Sequence, residues 1–438
     1  MQLKNVLQTF IALTALSPPF AAQADPSTTH EPKQFDKVMV VIFENMSYAE
    51  IKDEPAFKKL VEYSGHTLDS NGKLVTLTKK GPERDLSGNG YAFFSTYYNN
   101  HSGGTAPTRP SQPNYIAMTS GSIQGVIDNE SHDLDVDNLA AELNDANVSW
   151  KVYAEDLPDP NNVRFSESIV EHLSDIYVKP YRLDINLSEQ ENDAAEYQYY
   201  LDAHKKLNRS SSNNAALSYC FTGSGYPTDD GYQRKHEPFI SYTNIQKNYN
   251  HCKKIVNSAH LMEDIDKLPA VSFYIPNQIN DGHNGTLAER VRRANAFLSK
   301  MMGANEKTGE PLSDAANAPF QQFMAKGGLL VLTFDEPSVT GNPDKTIYTL
   351  LAGKMIKSGA YPNKAGENAP ICYPHVSEQT KYPRDVNGDY DRYQCNHYNL
   401  LKMIESNWNL RGLAPEHTSS GYKYAYALDN GISSLWKN

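Results

Sequence analysis

The chain has 438 residues, 39% of them hydrophobic and 11% aromatic, which is enough apolar material for one large domain or for two to three ordinary ones. Its formal net charge of -11 argues against nucleic acid as the main partner, because a phosphate backbone needs a basic protein face. A small phosphorylated substrate stays compatible with this charge, since it needs only a local positive pocket.

The first 24 residues have the form of a secretory signal peptide. Lys4 gives a short positive start, an apolar run extends from Val6 to Leu16, and Ala22-Gln23-Ala24 supplies small residues for cleavage. The alternative, a membrane anchor, needs a longer apolar run. The sequence therefore predicts a secreted or periplasmic protein with no transmembrane segment, whose mature residues 25–438 form a single domain.

Apolar runs bounded by turn residues alternate along the mature chain with runs of helical periodicity. Strands are predicted at 37–43, 149–156, 270–277, 329–334 and 346–353. Helices are predicted at 137–147, 289–302 and 399–410, and also before the Gly327-Gly328 pair. Because strands that alternate with helices build parallel sheets, we expect an α/β fold with a mostly parallel central sheet flanked by helices on both faces.

Two stretches differ from this alternation. Residues 157–235 are rich in Tyr, Asn, Ser and Asp, and they are predicted to form an inserted cap over the sheet edge. Residues 411–438 carry little pattern and are predicted to form a surface tail.

The even number of cysteines, in a chain predicted to be exported, indicates disulfide bonds. Of the three possible connectivities we favour the sequential one, which pairs Cys220 with Cys252 and Cys372 with Cys395. Zinc ligation is the alternative, but no Cys-x-x-Cys spacing supports it.

Polar side chains follow several of the predicted strands. Any one of them alone is as well explained by a helix cap or a surface turn. In a parallel sheet, however, the carboxyl ends of the strands meet at one edge, where ligands bind. Carboxylates gathered there would repel one another unless a cation lay between them. The residues are Glu44 and Asn45 after the first strand, Asp335 and Glu336 after the fourth, and Asp281 and His283 beyond the third.

Ser111 lies between two prolines and opens an apolar helical run, with Asn114 three residues later. A serine at a helix start is commonly an N-cap. The positive end of a helix also suits an incoming phosphate, so Ser111 is a candidate nucleophile as well as a candidate cap.

Several segments then occur in a recognisable order over residues 37–410. They read "VVIFENMSYAEI", "TRPSQPNYIAMTSGS", "SWKVYAEDLP", "RKHEPFISYTNI", "SFYIPNQINDGHN", "GGLLVLTFDE" and "HYNLLKMIESNWNL". Together they resemble the phosphoesterase family of secreted acid phosphatases and phospholipases C, which are relatives of alkaline phosphatase. The resemblance implies an alkaline phosphatase-like fold and a metal-dependent phosphoric ester hydrolase.

The resemblance also implies roles for individual residues. Ser111 would be the nucleophile, passing through a phosphoserine intermediate, with Asn114 near the phosphoryl oxygens. The residues implied to bind a divalent metal are Glu44, Asn45, Ser111, Asp335 and Glu336. The residues implied to line the phosphate pocket are Asp281, His283, His397 and, on a less distinctive match, His236.

The first of these sets offers only oxygen ligands, which suit hard cations such as Mg²⁺, Ca²⁺ or Mn²⁺. Two interpretations remain for Asp281, His283 and His397. They could hold a second metal, for which Zn²⁺ suits the imidazoles. Alternatively, cationic histidines could bind phosphate and protonate the leaving group, which would explain an acid optimum and is the interpretation we favour.

The segments favour the smaller acid-phosphatase branch of the family. Phospholipase members typically read "ENRSFDHYFG" where this chain has "ENMSYAEI", and they carry C-terminal domains for which this chain has no room. We therefore expect a secreted acid phosphatase acting on phosphate monoesters. The alternatives are a phospholipase C or phosphodiesterase that accepts a phospholipid headgroup, and a non-catalytic exported binding protein, which would be expected to lack Ser111 or the acidic pairs.

Overall fold

The structure is a computed structural model. It describes residues 30–68, 74–77, 88–99, 109–157, 231–338, 345–361, 371–372, 395–413, 425–432 and 435–437. The predicted signal peptide and residues 158–230, which include Cys220 and most of the predicted cap, lie outside the described residues.

A mixed sheet forms the centre of the described part of the chain. Its strands run in the order β10-β4-β9-β8-β1-β7-β5-β6, and β2 and β3 form a separate antiparallel pair. The strands are β1 (Lys37–Phe43), β2 (His66–Leu68), β3 (Leu74–Thr76), β4 (Gly90–Tyr97), β5 (Trp150–Ala154), β6 (Ile255–Asn257), β7 (Val271–Ile275), β8 (Gly328–Phe334), β9 (Ile347–Gly353) and β10 (Gly359–Tyr361). All pairs in the large sheet are parallel except those of β9, which is antiparallel to both β4 and β8.

Helices connect these strands. They are α1 (Tyr48–Ile51), α2 (Pro55–Tyr63), α3 (Ser111–Ser120), α4 (Leu139–Asp145), α5 (Thr243–Gln246), α6 (Tyr249–Cys252), α7 (Leu261–Asp264), α8 (Leu287–Met302), α9 (Pro319–Ala325) and α10 (His397–Asn407). Short 3₁₀ turns cover Arg234–His236, Ser258–His260 and Ala315–Asn317. The bounds of α8 have a local cause, because a Thr286–Glu289 capping box starts the helix and Gly303, at a φ of 67°, ends it.

Strand β1 lies between β7 and β8, and its residues 38–43 are completely buried. A continuous run of large apolar side chains without Gly or Pro is what a strand covered on both faces requires. In the neighbouring strand β7, two successive residues pack against aromatic side chains on opposite faces of the sheet. Tyr274 packs against Phe297 of α8 with ring centroids 5.7 Å apart, whereas Phe273 contacts Phe239 on the other face at 5.3 Å.

The predicted α/β class and mostly parallel sheet are therefore confirmed, and all of the predicted strands are present with bounds shifted by at most two residues. Strands β4, β6 and β10 of this sheet were not predicted, and β9 was expected as a strand but without its antiparallel direction. Strand direction depends on how the chain returns to the sheet, and a local apolar pattern does not carry that information.

The predicted surface tail is wrong for its described residues. Leu428 and Leu435 are fully buried, and the backbone N–H of Lys437 donates to the carbonyl of Met355 at 2.7 Å. The apolar residues of this segment are isolated along the chain, so they show no periodicity. The segment is bonded to α10, through the Leu428 N–H and the Asn399 carbonyl, and to the connection between β9 and β10, through the Lys357 N–H and the Leu435 carbonyl.

The Cys372–Cys395 disulfide is confirmed, with Cα atoms 5.2 Å apart. Cys252 is also disulfide-bonded, while Cys220, its predicted partner, lies outside the described residues. Within the described ranges, none of the helices combines the length and the apolar character needed to cross a bilayer.

Helices α4 and α10 both contact α3, and each carries a buried glutamate. These residues are Glu142 of α4 and Glu405 of α10. Burial, and then the charge of Glu405, raises the pKa of Glu142 to about 9. Arg411 Nε, 3.8 Å from Glu142 Oε1, and the Lys402 ammonium oppose this rise. The folded protein therefore holds a proton here over a pH range in which the unfolded chain, with the ordinary value of 4.5, has lost it.

This arrangement predicts a stability that falls as pH rises above about 5. Because the folded state binds more protons than the unfolded state between pH 4.5 and about 9, the free energy of unfolding decreases with pH, by roughly 3 kcal/mol by pH 7. Glu142→Gln removes the titrating group, so we expect a shallower loss between pH 5 and pH 8 in urea unfolding. Glu31→Gln, at an exposed glutamate, should keep the wild-type slope. Parallel slopes for Glu142→Gln and wild type would contradict the assignment.

Candidate active site

The loops that follow β1, β7 and β8 meet where these three neighbouring parallel strands have their carboxyl ends. The N–H of Glu44, just after β1, donates to the carbonyl of Asp281, in the loop after β7, at 2.9 Å. The N–H of Asp335, just after β8, donates to the carbonyl of Phe43 at 2.9 Å. These backbone bonds continue the parallel ladder beyond the strands. They therefore hold the acidic residues of the three loops side by side, just past the strand ends.

Asn45 connects these loops and explains why an amide follows the first acid. Its φ of 48° lies in the left-handed region that asparagine tolerates, and this turns the chain away from the strand direction. Its backbone N–H donates to Asp335 Oδ1 at 2.9 Å, its side-chain amide donates to Glu44 Oε2 at 3.0 Å, and its carbonyl accepts from Arg290 Nη2. The Asn45 side chain therefore holds Glu44 in position.

Ser111 is the first residue of α3, and its hydroxyl does not cap that helix. The N-cap is Pro110, and the Ser111 Oγ–H donates to Glu44 Oε2 at 3.0 Å. Burial raises the pKa of Asp335, and the nearby Ser111 hydroxyl is among the groups that oppose this rise, so the hydroxyl lies close to both acids. The structure thus brings Ser111, Glu44, Asn45 and Asp335 together.

Glu336 lies in a separate chain of contacts on the Asp335 side. Its Oε1 accepts from Arg109 Nη1 at 3.3 Å, and its Oε2 accepts from the Asn114 side-chain amide at 3.2 Å. Asn99 in turn donates to Asn114 Oδ1 at 3.3 Å. Both Glu336 oxygens are therefore bonded to protein donors, and Asn114 is fixed one helical turn from Ser111.

His236 and His283 approach the other side of Glu44. His236 Nε2 lies 3.4 Å from Glu44 Oε1, and its Nδ1 lies 3.7 Å from Asp281 Oδ2. Asp281 Oδ1 accepts from the His283 backbone N–H at 2.7 Å. Ligand atoms of Glu44, His236 and His283 all lie within 4.8 Å of one another, a separation that one metal ion can bridge.

His397 has a different position from the one expected. It is the first residue of α10 and is fully buried, with Nε2 bonded to the Asp335 carbonyl at 2.8 Å and Nδ1 bonded to the Tyr97 hydroxyl at 3.3 Å. One ring nitrogen thus supports the backbone of Asp335, and the other is bonded to a tyrosine side chain. The structure groups His236, rather than His397, with Asp281 and His283.

The buried carboxyl groups of the site hold protons strongly. Burial is the first cause in each case, and the charge of Asp335 adds repulsion for Glu44, Asp281 and Glu336. Burial raises the pKa of Asp335 to about 6, and burial with the charge of Asp335 raises that of Glu336 to about 9. The pKa of Glu44 and that of Asp281 lie well above their ordinary values for the same two reasons, although the Lys235 ammonium acts in the opposite direction.

The residues fit a divalent cation. Asp335 Oδ2, Asp281 Oδ2 and His236 Nε2 are buried, and none of the three atoms has a hydrogen-bond partner among the described residues. Leaving such atoms unsatisfied is costly unless a ligand completes them. Carboxylate oxygens beside Ser111 suit Mg²⁺, Mn²⁺ or Ca²⁺, and the imidazole side of Glu44 also suits Zn²⁺.

The histidines do not favour the cationic interpretation. Burial lowers the pKa of His236 well below its ordinary value, lowers that of His283, and lowers that of His397 to about 4. The protein environment therefore favours neutral imidazoles, which are the form that binds metals.

Sequence reasoning missed several residues that shape this site. Tyr115 donates to Glu44 Oε1 at 2.5 Å, and the Gln278 amide lies 2.9 Å from His236 Nδ1. Arg290 bonds to the carbonyls of Asn45 and Gly282. Tyr115 could have been found, since it follows Ser111 at helical spacing. The others come from distant segments whose approach no local pattern reveals.

Comparison with known proteins gives distant relatives. An acid phosphatase from Aspergillus fumigatus is 22% identical over 70% of this chain and 48% of its own length, and a probable acid phosphatase from Kluyveromyces lactis is 23% identical over 70% and 50%. A phosphatidylinositol-3-phosphatase from Mycobacterium tuberculosis is 23% identical over 58% of each chain. The matched part of this chain thus spans about half the length of these curated relatives.

Solved structures are similar only at a low level. A protein of the alkaline phosphatase superfamily from Vibrio parahaemolyticus covers 90% of this chain and 74% of its own with 8% identity and a TM-score of 0.35, which is too low to support a conclusion about this chain. The sequence profile of the Phosphoesterase family, in contrast, matches residues 89–310, slightly more than half of the chain and the part that contains Ser111, His236 and His283. The chain belongs to the Phosphoesterase family.

Proposed function

We propose that this protein is an exported acid phosphatase that hydrolyses phosphate monoesters with Ser111 as nucleophile. The observation that carries the proposal is the contact of the Ser111 hydroxyl with Glu44 Oε2 at 3.0 Å, beside Asp335, at the start of a ten-residue helix. The names of the fungal relatives and the family match support the reaction class. The composition of residues 1–24 supports export.

In this mechanism the chain positions the nucleophile and balances charge. Ser111 Oγ attacks phosphorus, the bond from phosphorus to the leaving alcohol breaks, and water later hydrolyses the phosphoserine. The positive end of α3 favours the phosphoryl anion. We propose that the Asn114 amide, which bonds to Glu336 and Asn99 one turn from Ser111, contacts an equatorial oxygen of the phosphoryl group.

A divalent cation fits beside Ser111, and Glu44, Asn45 and Asp335 are the residues proposed to hold it together with the serine. When bound, such an ion lowers the pKa of a neighbouring hydroxyl and neutralises phosphoryl charge. Glu336 was expected among these ligands, but its oxygens are bonded to Arg109 and Asn114. We therefore propose that it orients Asn114 and supports the site from behind.

For the second group we now favour a metal over cationic histidines. Burial lowers the pKa of His236 and that of His283, and no described residue forms a hydrogen bond with His236 Nε2 or Asp281 Oδ2. We propose that these residues, with Glu44, take a second cation for which Zn²⁺ is suited. His397 is proposed to keep the Asp335 carbonyl in place.

Replacing the nucleophile should remove turnover without unfolding the protein. We expect Ser111→Ala to lower kcat/KM by about 10³-fold or more, since a covalent route is lost, and to lower the free energy of unfolding by no more than about 2 kcal/mol. Ser120→Ala, at the last residue of the same helix, is the matched control and should keep its activity. A folded Ser111→Ala protein with near-normal turnover would eliminate the covalent mechanism.

Removing one proposed ligand should weaken metal binding. Asp335→Asn keeps an oxygen for the Asn45 N–H but removes the negative charge, so we expect chelated enzyme to need at least about tenfold more Mn²⁺ for half-maximal recovery. Asp266→Asn, an exposed acid that bonds Lys326, is the control for loss of one charge. Equal recovery curves for Asp335→Asn and wild type would place the ion elsewhere.

A substrate panel tests the reaction class. We expect release of inorganic phosphate from 4-nitrophenyl phosphate to exceed hydrolysis of bis(4-nitrophenyl) phosphate and release of diacylglycerol from phosphatidylcholine. Phosphatidylinositol 3-phosphate belongs in the panel because one relative is named for it, and its 3-phosphate is also a monoester. Faster release of diacylglycerol than of phosphate would replace the proposal by the phospholipase C alternative.

A further inference from the structure

Helix α3 contacts Glu44 through two hydroxyl groups. Ser111 and Tyr115 are four residues apart, so their side chains extend from the same face of the helix, one turn from each other. Ser111 Oγ donates to Glu44 Oε2 at 3.0 Å, and the Tyr115 hydroxyl donates to Glu44 Oε1 at 2.5 Å. A single rigid element therefore fixes both oxygens of this carboxylate.

The ring of Tyr115 makes a second contact within the site. It stacks on the imidazole of His236, with ring centroids 5.4 Å apart and planes inclined by only 15°. His236 Nε2 is directed toward the same Glu44 Oε1, at 3.4 Å. Tyr115 is only 1% exposed, so both contacts occur away from solvent.

We propose that Tyr115 is the positioning residue of the metal centre, which sets the orientation of the Glu44 carboxylate and the plane of the His236 ring before a cation binds. This inference rests on the proposed function, because it requires that Glu44 and His236 bind a divalent cation. Tyr115 itself neither binds the cation nor touches substrate.

The physical reason lies in the freedom of a glutamate side chain. The terminal torsion of a carboxylate is broad, so one hydrogen bond leaves the oxygens free to exchange places, whereas donors on both oxygens define one orientation. Partners of metal ligands that act in this way typically change metal affinity by about 10- to 100-fold when they are removed. The phenol bonds the same Glu44 oxygen, Oε1, that lies 3.4 Å from His236 Nε2.

The chain offers a matched control in Tyr242. Its hydroxyl is also fully buried and also bonds α3, donating to the Ile116 carbonyl at 3.1 Å and pairing with Thr119 Oγ1 at 2.8 Å. These partners lie near the other end of the helix from Ser111. Tyr242→Phe therefore removes comparable hydrogen bonds from the same helix without altering the contact with Glu44.

The experiment is a calorimetric titration of the full-length protein, stripped by chelation, with Mn²⁺ and separately with Zn²⁺. We expect Tyr115→Phe to raise the Kd of at least one ion by about 10- to 100-fold and Tyr242→Phe to leave both within about twofold of wild type. Thermal unfolding establishes that both variants are folded. Tyr115→Leu, which removes the ring stacking as well, should weaken binding further.

A kinetic measurement separates positioning from catalysis. The kcat/KM of Tyr115→Phe should fall at limiting Mn²⁺ and recover as Mn²⁺ is raised, whereas that of Ser111→Ala should stay low at every concentration. Wild-type affinity in folded Tyr115→Phe, or equal loss in Tyr115→Phe and Tyr242→Phe, would overturn the assignment of Tyr115 and leave the proposed function intact. A wild-type protein that binds neither ion would overturn both.

Discussion

Repulsion among buried carboxyl groups is the constraint on which this structure depends. Glu44, Asp281, Asp335 and Glu336 lie where β1, β7 and β8 end, in a region that water hardly reaches. Removing an ionised carboxylate from water costs several kcal/mol, and a neighbouring charge of the same sign adds to that cost. Hydrogen bonds from Asn45, Ser111, Tyr115 and Asn114 offset part of it. In the part of the chain that the structure describes, two acid oxygens and one imidazole nitrogen have no hydrogen-bond partner, which is why a cation is the simplest way to complete the group.

The rest of the fold holds these acids in place. Ladder bonds continue past the strand ends and fix the backbone of Glu44 and Asp335. On one side of the site, α3 contacts both α4 and α10, where burial and the charge of Glu405 raise the pKa of Glu142. Buried carboxyl groups with raised pKa values thus occur twice in the molecule, once in the site and once beside α3. In the site they favour protonation or a bound cation. Beside α3, the raised pKa of Glu142 makes the folded state more stable in acid than in neutral solution.

The match to the Phosphoesterase family and the geometry of the site are independent observations that agree with each other. The family match covers residues 89–310, whereas the acids of β1 and β8 lie outside it. These acids meet Ser111 only through the sheet. Ser111 and Tyr115 lie one helical turn apart on α3. Their hydroxyl groups donate to the two different carboxylate oxygens of Glu44, a residue distant in sequence.

The sequence by itself determined the local elements and the residue types. Continuous apolar runs specified β1, β7, β8 and β9, because a strand buried on both faces needs them, and the segments around Glu44, Ser111 and Asp335 marked the chemistry. Only the tertiary structure decided which side chains meet. It set β9 antiparallel to its neighbours and buried apolar residues of the C-terminal segment. It also grouped His236, but not His397, with Asp281 and His283, and it brought Tyr115 to Glu44. The reason is physical: periodicity reports which face of an element is buried, whereas the partners on that face come from segments far away along the chain, and their approach is set by packing of the whole sheet.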